Sequence, residues 1–155
     1  MTRKELIEEL KKYFKIEELV CSHVYNKYSE MQCWSFFSKT ALEILLILRR
    51  EIIKKGMVVN NWKTGGPYSQ RGLRCNLCPI PKEKTRLEKV YMSAHCTGEA
   101  FDITVMGMSA EEARRLIKEN KDKLPHPIRL ESGVNWLHVD TYDIGNGEKV
   151  TFFTA

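Results

Sequence analysis

The sequence predicts an α+β fold in which helices come first and a small antiparallel sheet follows. Three observations carry this prediction. Apolar residues recur every three or four positions across the first third of the chain, which is the period of a helix packed on a core. The last third contains short runs rich in β-branched and aromatic residues, separated by glycine, asparagine and proline. One amphipathic segment between those runs predicts a helix inserted in the sheet region.

Length and composition are typical of a single globular domain. The chain has 155 residues, 43% of them hydrophobic, which is enough to bury a core. We divide the predicted domain into a helical N-terminal region, residues 1–35, and a core, residues 36–155. The formal net charge of +5 is spread along the chain. Because no basic stripe carries interleaved aromatic residues, we do not expect a nucleic-acid partner. We also expect the protein to be a monomer.

The first third predicts three helices. Thr2 and Glu5 form a capping box, in which the Thr2 hydroxyl accepts from the Glu5 amide and the Glu5 carboxylate accepts from the Thr2 amide. A second, short helix is predicted within residues 17–28. The longest helix is predicted over residues 36–55, because its apolar positions line one face and Gly56 follows it.

The remaining elements follow from turn residues and alternation. Ser109 and Glu112 form another capping box and predict a helix that runs to about Asn120. Asn146-Gly147 predicts a hairpin turn between the last two strands. The predicted strands cover residues 57–62, 101–105, 128–131, 136–142 and 149–153, and residues 79–88 are predicted to be an exposed polar loop.

An imidazole and a carboxylate stand seven positions apart in the stretch SAHCTGEAFD, residues 93–102, and a second histidine lies downstream in an apolar run. Gly98 permits the sharp turn that would bring His95 and Asp102 together. Asp102 and His138 are both on predicted strands. Two histidines and one carboxylate are a ligand set for a catalytic zinc with its fourth position open to water. A single histidine in an apolar strand is more often structural, so this prediction depends on all three residues.

The stretch resembles the pattern Ser-x-His-x-x-Gly-x-Ala-x-Asp of the zinc D-alanyl-D-alanine carboxypeptidases and their relatives, which include vancomycin-resistance dipeptidases, phage endolysin peptidases and the Hedgehog signalling domain. The sequence WLHVD, residues 136–140, resembles the second signature of that family. The resemblance implies one catalytic zinc held by His95, Asp102 and His138. It also implies a Hedgehog-like or D-Ala-D-Ala-peptidase-like fold. The implied activity is hydrolysis of peptidoglycan stem or cross-link peptides, of the D,D-carboxypeptidase or endopeptidase type.

An arginine between the first strand and the zinc motif is a candidate catalytic residue. Family members carry an arginine in a Ser-Gly-Tyr-Arg-like segment, and Gly72-Leu73-Arg74 resembles it, with Arg71 where serine is usual. The resemblance implies that Arg74 holds a substrate carboxylate or polarises the scissile carbonyl. An ordinary surface salt bridge is the alternative interpretation of either arginine.

The general base departs from the family pattern. Carboxypeptidase-like and dipeptidase-like members have a glutamate three residues before the last histidine, where this chain has Asn135, which cannot transfer a proton. The Hedgehog branch has a Glu-Ser further upstream, and Glu131-Ser132 resembles it, which implies that Glu131 is the base. Asp140 is the rival candidate. Because Asp140 and His138 share a face of a strand, Asp140 could instead orient that histidine from outside the ligand set.

The five cysteines do not suggest a disulfide framework, because their number is odd and no apolar signal core precedes them. Cys75 and Cys78 form a Cys-x-x-Cys pair. They are a possible second, structural zinc site if Cys21, His23 or Cys33 completes it. No second Cys-x-x-Cys is present, so reduced, unliganded thiols in a loop are the simpler expectation.

Two further classes of function stay open beside the peptidase. One is a catalytically inactive binding module that retains zinc, and the other is a structural component of a phage particle with the same fold. For the enzyme the expected partners are peptidoglycan peptides. No apolar run reaches the roughly 18 residues of a membrane span. We expect synthesis in a cytoplasm without a signal peptide, and action on the bacterial wall after release or delivery by another system.

Overall fold

A computed structural model describes residues 1–155 and has the predicted α+β architecture. The helices are α1 (Arg3–Leu10), α2 (Ser22–Lys27), α3 (Glu30–Ser35), α4 (Lys39–Ile47), α5 (Pro79–Arg86) and α6 (Ala110–Glu119). The strands are β1 (Met57–Val58), β2 (Ala100–Val105), β3 (Ile128–Glu131), β4 (Leu137–Asp140) and β5 (Val150–Phe153). Single 3₁₀ turns cover Ile16–Glu18, Trp62–Thr64 and Lys121–Lys123.

The five strands form one mixed sheet in the order β1-β2-β4-β3-β5. Neighbouring strands are antiparallel except β3 and β5, which are parallel. The prediction of a wholly antiparallel sheet is therefore wrong for the pairing of β3 with β5. Both edges of β4 are occupied by β2 and β3, so the chain after β4 cannot return beside it as a hairpin. It crosses at Asn146-Gly147 to the free edge of β3 instead.

The sheet has one apolar and one polar face. Asp102 of β2 is opposite His138 of β4, and Arg129 of β3 is opposite Asp140 of β4. Because successive side chains on a strand point to opposite faces, these four polar residues share one face with Glu131. The opposite face is buried and apolar, and it is formed by Phe101, Ile103, Ile128, Leu130, Leu137 and Val139.

A single cluster of 33 buried hydrophobic residues extends from Leu6 to Val139. It packs the apolar face of the sheet against the N-terminal helices and α4. The ring of Phe37, just before α4, stacks on that of Phe101 in β2 with centroids 5.5 Å apart. Residues 1–35 therefore share their core with the sheet.

The capping boxes at Thr2 and Ser109 are confirmed. The α-helix is shorter than the one predicted over residues 36–55. Ser38 caps its start, and the last part of the predicted range, Leu48–Ile52, is a π-helical turn. The sequence Ser29-Glu30-Met31-Gln32 is itself a capping box, and it begins α3, which was not predicted.

The predicted loop over residues 79–88 is wrong, since it contains α5. Pro79 is at the first position of this helix, where a missing amide hydrogen costs nothing. The Gln70 side chain then accepts from the Ile80 amide at 2.8 Å. The predicted strand over residues 57–62 shortens to β1, because the Asn60 amide leaves the sheet and donates to the Glu18 carbonyl.

Gly98 is expected to be essential for folding. Its φ is +71°, and a Cβ there would lie 2.0 Å from the Phe36 carbonyl oxygen. We expect Gly98→Ala to lower the free energy of unfolding by about 3 kcal/mol or more, measured by chemical denaturation. Gly147→Ala is the matched control, because Gly147 has a φ of +78° but no atom within 4 Å of the added Cβ. That variant should lose only about 1 kcal/mol. Equal losses would show that the close approach to Phe36 is not the reason for glycine.

Candidate metal centre

Three predicted ligands meet on the polar face of the sheet. The candidate ligand atoms of His95, Asp102 and His138 all lie within 4.8 Å of one another. The three residues are 3%, 7% and 7% exposed. Asp102 and His138 are cross-strand neighbours on β2 and β4, while His95 comes from the turn that precedes β2.

The turn before β2 folds back over the strand because its own hydrogen bonds close it. The Ser93 hydroxyl accepts from the His95 amide at 3.2 Å, and the Ala94 carbonyl accepts from the Glu99 amide at 2.9 Å. Gly98 supplies the left-handed backbone between them. This arrangement carries the imidazole of His95 to the carboxylate of Asp102.

His95 is oriented by a backbone carbonyl. Its Nδ1 lies 2.9 Å from the Gly72 oxygen, which can only accept, so Nδ1 carries the hydrogen. A neutral His95 therefore keeps its lone pair on Nε2. That atom lies 3.2 Å from Oδ2 of Asp102. The backbone contact fixes the tautomer that a metal site needs.

His138 is held between two carboxylates. Its Nδ1 lies 2.7 Å from Oδ1 of Asp102, and its Nε2 lies 2.8 Å from Oδ2 of Asp140. Asp140 is 1% exposed and also accepts two bonds from the guanidinium of Arg129, at 2.8 and 3.0 Å. Asp140 thus fixes His138 from the side away from Asp102, which is the arrangement expected of a carboxylate that supports a metal ligand.

Protonation at the site follows from these contacts. Burial alone would raise the pKa of Asp102, but its hydrogen bond with His138 and its close contact with the His95 ring hold that pKa far below its usual range. Burial alone would lower the pKa of His138, but its hydrogen bonds to Asp102 and Asp140 raise it to about 9. In the metal-free chain, a proton on Nδ1 of His138 therefore lies between that nitrogen and Asp102.

The donor set fits zinc. A tetrahedral zinc with bonds of 2.0–2.2 Å places neighbouring nitrogen and oxygen ligands about 3.4 Å apart. Oδ2 of Asp102 lies 3.2 Å from Nε2 of His95, close to that spacing, while Oδ1 of Asp102 lies 2.7 Å from Nδ1 of His138, which is a hydrogen-bond distance. Each histidine also has a hydrogen-bond acceptor for its second ring nitrogen. Two histidines and one carboxylate leave a fourth position for another ligand.

The three ligands open into a cavity of about 300 Å³. Glu131 lines this cavity, and its carboxylate makes no hydrogen bond or ion pair, while its main-chain carbonyl accepts from Arg114. Asn135 is exposed and lines a different cavity, beside α6. The other lining side chains include Tyr91, Trp136, Tyr142 and Phe153.

The two candidate arginines occupy different places. Arg74 lines the cavity, and its guanidinium contacts the Gln70 carbonyl at 2.6 Å, the Tyr91 hydroxyl at 2.6 Å and Asp102 at 3.5 Å. Arg71 donates to the Thr104 hydroxyl and lies over the ring of Tyr68, and it does not line the cavity.

The Cys-x-x-Cys pair is also part of a ligand cluster. Cys75 and Cys78 meet Cys21 and His23, and all four candidate ligand atoms lie within 4.8 Å of one another. Cys33 does not join them, because its sulfur contacts the carbonyl of Val24 in α2 and that of Tyr28 just after the helix. The four side chains therefore form a cluster that is compatible with zinc, and the expectation of reduced, unliganded thiols stays a prediction.

Sequence reasoning missed three residues that hold the site. Gly72 acts through its carbonyl, which no side-chain pattern reveals. Tyr91 lies in a segment without regular structure. The sequence could have indicated Arg129, because this residue is two positions from Glu131 on a predicted strand and therefore lies on the same face.

Comparison of the chain with protein-family models, with curated proteins and with solved structures finds no match. No helix has both the length and the apolar character needed to cross a membrane.

Zinc content tests the ligand set directly. We expect His95→Ala to lose one zinc ion per chain relative to the parent protein, measured by elemental analysis, because Nε2 of His95 is one of three ligands. His126→Ala is the matched control, since His126 pairs with Glu43 and belongs to neither ligand cluster. Equal zinc in the parent protein and His95→Ala would remove His95 from the ligand set.

Proposed function

We propose that the protein is a zinc-dependent peptidase that hydrolyses peptidoglycan stem or cross-link peptides, as a D,D-carboxypeptidase or endopeptidase, and that its fold is related to the Hedgehog and D-Ala-D-Ala-peptidase group. One observation carries the proposal. The ligand set of His95, Asp102 and His138 shares a cavity with an unpaired carboxylate, Glu131, and a guanidinium, Arg74. These are the chemical groups that peptide hydrolysis requires.

A zinc ion held by the three ligands supplies Lewis-acid chemistry, which polarises a carbonyl and acidifies a water molecule. The side chains of the protein supply the orientation of the ligands, the general base and the binding of substrate. His95 and His138 are fixed by the Gly72 carbonyl and by Asp140 respectively, so neither ring has to reorient. The burial of all three ligands, together with these hydrogen bonds, favours a preorganised site.

Glu131 is the proposed general base. Its carboxylate would accept a proton from the attacking water and deliver that proton to the leaving amine. Its position at the end of β3, in the cavity and without a partner, supports this role. Asn135 cannot serve, because its amide does not accept a proton and its side chain lines a different cavity.

Arg74 is the proposed substrate-binding residue. Of the five N–H donors of the guanidinium, one donates to the Gln70 carbonyl and one to the Tyr91 hydroxyl, while Nη2 lies 3.5 Å from Asp102, so further N–H groups remain for a ligand. Two N–H groups can bind a peptide carboxylate or a carbonyl oxygen. The formal net charge of +5 suits an anionic wall polymer as well.

A wall-hydrolysis assay tests the proposed activity. The parent protein should release soluble peptides or amino acids from purified peptidoglycan, lose that activity with a chelator, and regain it with zinc. His126→Ala should behave like the parent protein. Mass spectrometry of the products would identify the bond that is cut.

A zinc-containing binding module without catalysis is the second candidate, and Asn135 favours it because the usual glutamate of the family is missing there. A structural component of a phage particle would likewise be expected to show no hydrolysis. A protein that binds purified peptidoglycan and contains zinc, yet hydrolyses neither peptidoglycan nor D-alanyl peptides, would establish this alternative.

Glu131→Gln separates the enzyme from the binding module. The amide keeps the volume but cannot accept a proton, so turnover should fall by roughly 10² to 10⁴. Zinc content should not change, because Glu131 is not a ligand in this scheme. Near-normal hydrolysis by Glu131→Gln would assign the base to another residue.

Asp140→Asn should act through the metal. Removing the negative charge that supports His138 is expected to weaken zinc affinity about 10- to 100-fold, measured by competition with a chelator. With zinc in excess, much of the activity should return. An inactive Asp140→Asn with zinc still tightly bound would instead point to Asp140 as the base.

Arg74→Ala should reduce kcat/KM by at least about tenfold, because a charge-assisted contact to substrate is lost. Zinc content and thermal stability should change little by comparison. Arg71→Ala is the matched control, since Arg71 lies outside the cavity. The opposite ranking of the two variants would transfer the role to Arg71.

A further inference from the structure

A second cluster of metal-binding side chains lies outside the proposed active site: Cys21, His23, Cys75 and Cys78. We propose that these four residues bind a structural zinc ion as a tetrahedral Cys₃His site. The inference does not depend on the peptidase proposal, because none of the four residues lines the active-site cavity.

The distances within the cluster match a tetrahedral zinc. With Zn–S bonds of about 2.3 Å and Zn–N bonds of about 2.05 Å, sulfur ligands lie about 3.8 Å apart and sulfur and nitrogen about 3.5 Å apart. The sulfurs of Cys75 and Cys78 are 3.9 Å apart. Nδ1 of His23 lies 3.5 Å from the Cys75 sulfur and 3.8 Å from that of Cys78. A disulfide would require the two sulfurs to approach to about 2.05 Å.

The backbone around Cys75 orients its sulfur toward the other three ligands. The amide of Leu77 points at the Cys75 sulfur from 3.4 Å, and the amide of Cys78 donates to the Cys75 carbonyl at 3.2 Å. This tight turn directs both side chains of the Cys-x-x-Cys pair to one point.

The composition of the cluster indicates a structural site. Four protein ligands close a tetrahedral zinc and leave no open position, unlike the set of two histidines and one carboxylate in the cavity. Cys21 and Cys78 are each 1% exposed, while His23 is exposed and closes the cluster on the solvent side.

The ion would join two parts of the chain that are distant in sequence. His23 and Cys75 are 52 positions apart. Next to them, Val20 and Leu73 form a parallel bridge, and the Leu73 amide donates to the Leu19 carbonyl at 2.9 Å. Zinc at this place therefore fastens the chain immediately after Arg74 to the start of α2.

Zinc counting on the full chain tests the site. The two clusters predict two zinc ions in the parent protein and one in Cys75→Ser. Cys96→Ser is the matched control, because Cys96 is also half-buried but lies outside both clusters, and it should retain both ions. His95→Ala should keep the ion at the cysteines. Equal zinc in folded Cys75→Ser and the parent protein would overturn the proposal.

A measurement on the parent protein decides the question even if Cys75→Ser does not fold. Cobalt substituted for zinc should give a strong near-ultraviolet thiolate-to-metal charge-transfer band. The site in the cavity cannot produce that band, because it has no sulfur ligand. Cobalt-loaded protein without the band, or peptide mapping that finds Cys75 and Cys78 joined as a disulfide in freshly isolated protein, would overturn the proposal.

Discussion

The antiparallel register between β2 and β4 is the constraint on which the candidate metal centre depends. It places Asp102 opposite His138, and their apolar neighbours on the other face are buried in the core. Because side chains alternate along a strand, a slip of one residue would bury His138 among the helices and bring Val139 to the polar face. The hydrophobic burial that holds the sheet on the helices therefore also fixes the geometry of the candidate metal ligands.

The charges on the polar face are of the kind that a bound cation would balance. Two nearly buried carboxylates, Asp102 and Asp140, flank His138, and burying charge is costly unless it is paired. Arg129 offsets Asp140, while Arg74 approaches Asp102 only at 3.5 Å. In the metal-free chain, the proton on Nδ1 of His138 supplies the remaining positive charge. A metal ion coordinated by the same atoms would take the place of that proton.

Local patterns in the sequence predicted those parts of the fold that local interactions determine. The capping boxes at Thr2 and Ser109 and the strand that carries Asp102 are of this kind. The predicted position of β5 was wrong because the place of this strand depends on which edge of the sheet is free. That is a property of the assembled sheet and not of the local sequence. The meeting of Cys21 with Cys75 is likewise a tertiary fact, since neither residue has a local signal for the other. The ligand triad was accessible because its spacing resembles a known pattern.

The segment from Gly72 to Cys78 joins the two candidate metal sites. Its first residue orients His95 through a carbonyl, and Arg74 reaches into the cavity. Its last residues, Cys75 and Cys78, belong to the sulfur cluster. A Cβ on Gly72 would lie 2.0 Å from the Leu19 carbonyl oxygen, so this segment packs directly on the N-terminal region. A zinc ion at the cysteines would therefore hold, from outside, the chain segment that orients a ligand inside the cavity.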